Sequence, residues 1–153
     1  MNADSFLDHA IQFREAAKRL HGTTPFLFKP TFYCAIHAVE LALKGHLVHS
    51  GLSPGDLRRR EFGHNIDRLL EHAEKIGANS EELLDYFAQQ AVRWGSKDYA
   101  GKCFEYPEVM YSTCSLGVWL DIGEDLIERL RSAVRSVAPH GADLPQNGIE
   151  RAR

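Results

Sequence analysis

The sequence predicts an all-α protein, an up-and-down bundle of about five helices, from three observations. Apolar residues recur at helical spacing in several long segments, and no segment alternates apolar and polar residues as a half-buried strand does. One segment, Thr31–Gly51, is apolar nearly all round, which is typical of the buried centre of a bundle. Prolines, glycines and helix-capping residues separate the helical segments, as they do where the chain turns.

Length and composition indicate a single domain. The chain has 153 residues, of which 25% are charged and 44% are hydrophobic, and its formal net charge is −3. This charge gives no overall attraction to nucleic acid, although a local basic patch could still bind it. The three cysteines form no C-x-x-C pair, and the N-terminus is acidic rather than signal-like. These features predict a cytoplasmic protein that does not cross a membrane.

Three helices are predicted in the first half of the chain. The first runs from about Ser5 to His21, and a linker with two prolines joins it to the central helix at Thr31–Gly51. A short helical turn ends in Arg58-Arg59-Arg60, and Gly63-His64-Asn65 then begins the third helix. The apolar stripe of the third helix comprises Ile66, Leu69, Leu70, Ala73 and Ile76, and Gly77 ends it.

Two more helices are predicted in the second half. The fourth begins at Asn79 or Ser80, and a turn-prone loop over Gly95–Glu108 follows it. The fifth and longest runs from about Val109 to Val137. Residues 1–138 therefore form the bundle, and the polar remainder, 139–153, is predicted to be a mobile C-terminal tail. The predicted core face of the fourth helix consists of Leu84, Phe87, Ala91 and Trp94.

Glu40 lies inside the apolar arc of the central helix, where a carboxylate is costly unless it is paired. One interpretation is structural: Lys44, one turn further on, or a group from another helix balances a buried charge that only orders the core. The other is functional: Glu40 and His64 face a shared pocket, and the carboxylate holds the tautomer of an acid–base imidazole. Both interpretations require a buried Glu40 with a basic partner.

An anion-binding site is predicted at Arg58, Arg59, Arg60, His64 and Asn65. The three arginines directly precede the first turn of the third helix, whose free N–H groups add a partial positive charge. A phosphate of RNA, a nucleotide or an acidic partner would suit such a site. The alternative interpretation is a solvated run of charge with no ligand.

No metal site and no cofactor are predicted. Glu61-x-x-His64 is the only E-x-x-H sequence, whereas a di-iron carboxylate bundle needs two together with further glutamates. A site built by three histidines from separate helices remains an alternative by spacing. Four aromatic residues either stack on bases or pack a loop onto the end of the bundle: Tyr99, Phe104, Tyr106 and Tyr111.

Two segments, Ala38–Leu47 (AVELALKGHL) and Gly63–Leu70 (GHNIDRLL), resemble the HEPN superfamily of prokaryotic helical domains. Phe104–Pro107 (FEYP) is similar to the R-Y-P turn of some members. The resemblance covers roughly Phe6 to Val137 and implies a bundle of four to five helices, usually a homodimer. It also implies one of three roles: an RNA-cleaving toxin of a toxin–antitoxin system, a non-catalytic RNA- or nucleotide-associated module, or a partner of a small nucleotidyltransferase.

Catalytic HEPN members carry R-x(4–6)-H, commonly at the start of a late helix. Here Arg59-x4-His64 and Arg58-x5-His64 have that spacing at the start of the third helix, and no histidine lies between Trp94 and Val109. The resemblance therefore predicts an RNA- or nucleotide-binding module without catalysis. The alternatives are a metal-independent endoribonuclease, in which Arg59 stabilises phosphate charge and His64 transfers a proton, and a purely structural partner-binding domain.

Overall fold

The fold is an all-α bundle, as the sequence predicts. The computed structural model of the chain describes residues 1–58, 62–76, 83–106 and 114–137, and within these there are five α-helices and no β-strand. The helices are α1 (Ala3–His21), α2 (Phe28–His49), α3 (Ile66–Ile76), α4 (Tyr86–Ala100) and α5 (Leu116–Val137), and a 3₁₀ turn covers Asp56–Arg58.

The central helix is α2, which packs against α1, α3 and α5 and is buried on nearly all sides. It begins at Phe28, three residues earlier than predicted, so that Pro30 lies in its first turn. Proline is tolerated there because the first N–H groups of a helix have no partner within the helix. At its other end, Gly51 has a φ of 99°, a left-handed conformation that turns the chain toward α3 at low steric cost.

Three helices approach one another most closely at Gly45. A Cβ atom at this position would lie 2.4 Å from Leu130 Cδ2 and 3.2 Å from Phe6 Cβ, so the missing side chain brings α1 and α5 onto α2. The next residue, His46, is buried, and its Nε2 lies 3.0 Å from the carbonyl oxygen of Leu126, to which it donates. Burial lowers the pKa of His46, which keeps this link between α2 and α5 uncharged at neutral pH.

Capping side chains determine where α1 and α4 begin. The Asn2 side chain accepts a hydrogen bond from the Ser5 amide at 2.9 Å, which extends α1 to Ala3, two residues before the predicted start. Asp85 does the same for the Ala88 amide at 2.8 Å, and α4 therefore begins at Tyr86. The start predicted at Asn79 or Ser80 lies outside the described residues, but Leu84 and Asp85 precede the helix.

The predicted core face of α4 is wrong at two of its four positions. Phe87 is 82% exposed and Trp94 is 59% exposed, whereas Leu84 and Ala91 are buried as predicted. The physical reason is close packing, because a Cβ at Gly95 would lie 2.2 Å from Trp119 Cζ2 on α5. The side of α4 that carries Gly95 therefore faces the Trp119 ring. The face that α4 buries consists of Ala91, Val92, Gly95, Ser96, Asp98 and Tyr99.

The segment predicted as a loop, Gly95–Glu108, is helical over its first six residues, because α4 continues to Ala100. The helix α5 begins at Leu116, and Cys114 and Ser115 precede it, whereas the prediction began it at Val109. Trp119 is fully buried.

Several predicted features lie outside the described residues. They are Arg59, Arg60, Gly77, Tyr111 and the C-terminal tail 139–153. Among the helices that the structure describes, none combines the length and the apolar character that crossing a membrane requires.

Candidate functional site

The candidate site is built around Glu40, a carboxylate with 1% exposure in the middle of α2. Lys44, one turn further along the same helix, donates a hydrogen bond to Oε1. The predicted pairing of a buried Glu40 with Lys44 is thus present. Because Lys44 is largely buried too, the pair is shielded from water and its attraction is stronger than that of a surface ion pair.

Three further side chains converge on the second oxygen, Glu40 Oε2. His64, from the turn before α3, places Nδ1 at 3.1 Å, and His37, from α2 itself, places Nδ1 at the same distance. The hydroxyl group of Tyr99, from α4, donates to the same oxygen. We call Glu40, Lys44, His37, His64 and Tyr99 the Glu40 cluster. It joins α2, the turn before α3, and α4 through one carboxylate.

The hydrogen bonds of the cluster define its tautomers. The His37 Nδ1 lies 2.6 Å from the Tyr99 hydroxyl oxygen as well as near the Glu40 carboxylate, so this nitrogen carries a proton and donates. His64 likewise donates through Nδ1 to Glu40, which accepts only. The His64 side chain is 40% exposed. Its Nε2 is therefore the nitrogen left to exchange a proton or to bind a ligand.

The environment of the cluster changes three pKa values. Burial alone would raise the pKa of Glu40, but the hydrogen bonds of His37 and His64 and the charge of Lys44 lower it far below its ordinary value. The hydrogen bond to Glu40 raises the pKa of His64, against the opposing effect of burial. Burial, together with the Glu40 charge, raises the pKa of Tyr99, so its hydroxyl remains protonated.

The formal charges of the cluster add up to a positive value when His64 is protonated. Glu40 carries one negative charge and Lys44 one positive charge, so the pair is neutral and the imidazolium of His64 is in excess. The exposed edge of the cluster therefore presents a cationic donor to an anion, and the Glu105 carboxylate, which also raises the pKa of His64, offsets part of that attraction. His64 can also transfer a proton, because the Glu40 carboxylate orients the ring and stabilises its charged form.

The predicted anion-binding segment is described only in part. Arg58 is exposed at the end of the 3₁₀ turn, and Arg59 and Arg60 lie outside the described residues. Of the predicted residues that the structure describes, His64 belongs to the Glu40 cluster. Asn65 instead caps α3, because its side-chain oxygen accepts from the Arg68 amide at 3.1 Å.

The N–H groups at the start of α3 are less available than the sequence suggests. The Asn65 amide donates to the Phe62 carbonyl oxygen at 3.1 Å, and the Asp67 amide donates to the Ser96 hydroxyl oxygen at 3.3 Å. The prediction that these N–H groups are free is therefore wrong for Asn65 and Asp67, because the turn before α3 and a side chain of α4 already satisfy them. Among the described side chains of the predicted site, His64 is the one held against the Glu40 carboxylate.

Sequence reasoning missed two members of the cluster, His37 and Tyr99. His37 could have been recognised, since it lies three residues before Glu40 and residues at this spacing face each other on a helix. Tyr99 could not, because it is brought in from α4 by tertiary packing and lies in the segment predicted as a loop. Its ring is buried, so it does not offer a stacking surface for a base.

Two other side chains that the sequence makes candidates, Phe104 and His72, pack against aromatic rings. Phe104 is buried and stacks on Phe32 with ring centroids 6.3 Å apart, as expected for an aromatic residue that packs a loop onto the bundle. Tyr106 is exposed. His72 lies edge-on against Phe62. Within the part of the chain that the structure describes, no three His, Cys, Asp or Glu side chains are arranged to hold a metal ion.

The segments that carry the HEPN resemblance meet in the Glu40 cluster. Ala38–Leu47 supplies Glu40 and Lys44, and Gly63–Leu70 supplies His64. Of the third segment, Phe104–Pro107, the structure describes only the first three residues. Membership in the superfamily remains a prediction from these motifs. No protein-family model, no curated protein and no solved structure matches the chain at a significant level.

Proposed function

We propose that the chain is an HEPN-like RNA- or nucleotide-binding module that contacts a phosphate group through His64. The observation that carries the proposal is the bond between His64 Nδ1 and the buried carboxylate of Glu40, which Lys44 already neutralises. The imidazole is thus held in one orientation with Nε2 directed away from the pair. Its raised pKa favours the cationic form, to which a phosphate oxygen binds more strongly than to a neutral donor.

His64 is accessible to a ligand, since 40% of its side chain is exposed to solvent. Arg58 is exposed at the end of the 3₁₀ turn, in the same segment between α2 and α3. Arginine and protonated histidine on one segment suit the phosphate backbone of a single strand or the phosphates of a nucleotide.

The experiment measures RNA binding by the whole chain in EDTA at two pH values. One lies below the ordinary histidine pKa of about 6.5 and the other about 2 units above it, because the pKa of His64 is raised. We expect affinity to fall with rising salt and with rising pH, and the pH dependence to disappear in His64→Ala. His9→Ala is the matched control, because His9 is exposed on α1 and its Nδ1 contacts, among the described residues, a carbonyl oxygen of its own helix. Equal RNA affinity for wild type and His64→Ala at both pH values would refute the proposal.

A second candidate function, a metal-independent endoribonuclease, is favoured by the carboxylate–imidazole geometry. Glu40 fixes the Nδ1–H tautomer of His64, so Nε2 could accept a proton from a 2′-hydroxyl group and later return one to the leaving oxygen. Arg59 would stabilise the developing phosphate charge. The same EDTA incubation tests this candidate: RNA cleavage that His64→Ala abolishes supports it, and intact RNA with retained binding supports the binding module.

We also propose, from the resemblance, that the protein is a homodimer and that a small nucleotidyltransferase is its cognate partner. The three cysteines without a C-x-x-C pair support a third proposal, a location in the reducing cytoplasm. A purely structural partner-binding domain is the competing hypothesis, and the salt titration distinguishes it, because phosphate contacts give a steep dependence of affinity on salt. Light scattering at tens of micromolar tests the homodimer.

A further inference from the structure

A groove of about 460 Å³ runs between α4 and α5, on a part of the surface that no residue of the Glu40 cluster lines. Buried Ala91 and Ile122 lie at its base, and large exposed side chains lie along it. Phe87 and Trp94 expose most of their surface, and Val118 is also exposed. Contiguous apolar surface of this kind is typical of protein interaction sites.

Among the residues that the structure describes, the charged side chains that line the groove have one sign. They are Asp85, Asp121 and Asp125, and no described lysine or arginine lines the groove. The Asp85 side chain caps α4 through one oxygen, and Asp121 and Asp125 lie one turn apart on the exposed side of α5. A ligand that fills the apolar base would therefore gain most from positive charges along its edges.

This charge distribution argues against a second copy of the chain as the occupant. In a two-fold symmetric dimer the same surface patch meets itself, so two grooves lined by aspartates would face each other. Like charges brought together in an interface are costly. RNA is disfavoured for the same reason, because its phosphates would face the carboxylates.

We propose that the α4–α5 groove binds a basic amphipathic helix of another protein. Apolar residues one turn apart on that helix would pack between Phe87 and Trp94 and onto Ile122. Lysine or arginine residues beside the apolar stripe would pair with Asp121 and Asp125. The aromatic rings supply the binding energy of the contact, and the aspartates select the sign of the partner's charge.

The experiment uses two synthetic helical peptides of about 18 residues, or five turns, with the same leucine stripe. One has lysine beside the stripe and the other has glutamate, and binding to the full chain is followed by fluorescence anisotropy. We expect the lysine peptide to bind at least about tenfold more tightly. Asp121→Lys combined with Asp125→Lys should reverse this preference.

Two alanine variants locate the binding site. Phe87→Ala should weaken binding of the lysine peptide about tenfold, because it removes the most exposed ring of the groove. Phe26→Ala is the matched control, since Phe26 is an exposed phenylalanine that does not line the groove. Circular dichroism checks that every variant is folded.

Three results would overturn the proposal. The first is no binding of the lysine peptide, and the second is equal binding of both peptides, which would indicate an unselective apolar surface. The third is a wild-type dimer that Phe87→Ala dissociates in light scattering, because a second copy would then occupy the groove. None of these results depends on RNA binding at His64, so this proposal and the proposed function can fail separately.

Discussion

The helices α2 and α4 both contribute to the core, but they differ in which of their side chains they bury. α2 buries long apolar side chains around one paired carboxylate, Glu40. α4 buries Gly95 and Tyr99 while it exposes the larger apolar surfaces of Phe87 and Trp94. The hydrophobic pattern of the sequence therefore identifies the buried sides of α2 and misidentifies part of the buried side of α4.

The difference arises from the neighbours of α4. Trp119 occupies the space beside α4 where that helix has no side chain, at Gly95. Tyr99 lies one turn further on, so it shares a face with Gly95, and its hydroxyl group reaches Glu40. These two contacts together set the rotation of α4. A helix whose apolar residues are spread around it takes its orientation from steric fit and polar partners, whereas the central place of α2 follows from its being apolar on nearly all sides.

Removal of the buried carboxylate should give the largest effect. We expect Glu40→Ala to lower the free energy of unfolding by about 3–5 kcal/mol, because it leaves the largely buried Lys44 and the buried Tyr99 hydroxyl without their acceptor. Urea denaturation measures the change. Glu71→Ala is the matched control, since Glu71 is exposed on α3 and should change stability by less than about 0.5 kcal/mol. A loss below about 1 kcal/mol for Glu40→Ala would contradict this account.

A smaller effect is expected where α4 meets α5. Gly95→Ala should destabilise the protein by about 1–3 kcal/mol, because the new Cβ would meet the rigid ring of Trp119 at 2.2 Å. Gly123→Ala is the matched control on α5. Its Cβ would find Arg14 Cδ at 3.7 Å, an ordinary contact, so the higher helix propensity of alanine should stabilise the protein by up to about 1 kcal/mol. The same sign for both variants would contradict the proposed role of Gly95.

The helices themselves could be predicted from the sequence because their apolar spacing is regular. Segments for all five are recognisable, and the errors are local. The start of α2 differs because Pro30 is compatible with a first turn, and α4 extends to Ala100 because aromatic and charged residues at its end resemble a loop in composition. Side-chain caps by Asn2 and Asp85 determine the first residues of α1 and α4. The sequence offers several possible capping residues near each helix, so it does not identify which one is used.

The candidate site could be predicted only as far as local spacing reaches. Glu40 and Lys44 are one turn apart, so their pairing follows from the helix alone. His64 is a candidate both through the R-x(4–6)-H spacing and as the imidazole partner of Glu40 in one of the two interpretations, and the structure places it against Glu40. Tyr99 could not be predicted, since its contact depends on how α4 rotates, and that rotation depends on a glycine and a tryptophan from different helices.

A still smaller effect is expected in the pH dependence of the free energy of unfolding. The folded pKa of His64 is raised above its ordinary value of 6.5, so the stabilisation from its bond to Glu40 is complete below pH 6.5 and is lost as pH rises through the folded pKa. The pH dependence that Glu40 gives to stability has the opposite sign. Its pKa is lowered from 4.5, so the stabilisation from its ionised form is present above pH 4.5 and is lost as pH falls below that value. The two groups together predict greatest stability between these values.

His64→Gln tests the upper limb of this profile. The loss of stability above pH 6.5 should be smaller in the variant than in wild type, by less than about 1 kcal/mol, because water screens a partly exposed pair. Urea denaturation at several pH values gives the comparison. His9→Gln should follow the wild-type profile, since His9 contacts no carboxylate among the described residues. Parallel profiles for wild type and His64→Gln would show that the bond to Glu40 does not depend on the charge of the imidazole.

The smallest effect on stability is expected on the exposed face of α4. Phe87→Ala should change the free energy of unfolding by less than about 0.5 kcal/mol, because the ring is 82% exposed and contributes little buried area. Phe32→Ala, which removes a buried ring on α2, should cost about 3–5 kcal/mol. Urea denaturation of the two variants compares the same chemical change on the two helices. A cost above about 2 kcal/mol for Phe87→Ala would mean that this face is part of the core after all, and that the α4–α5 groove is not a free surface.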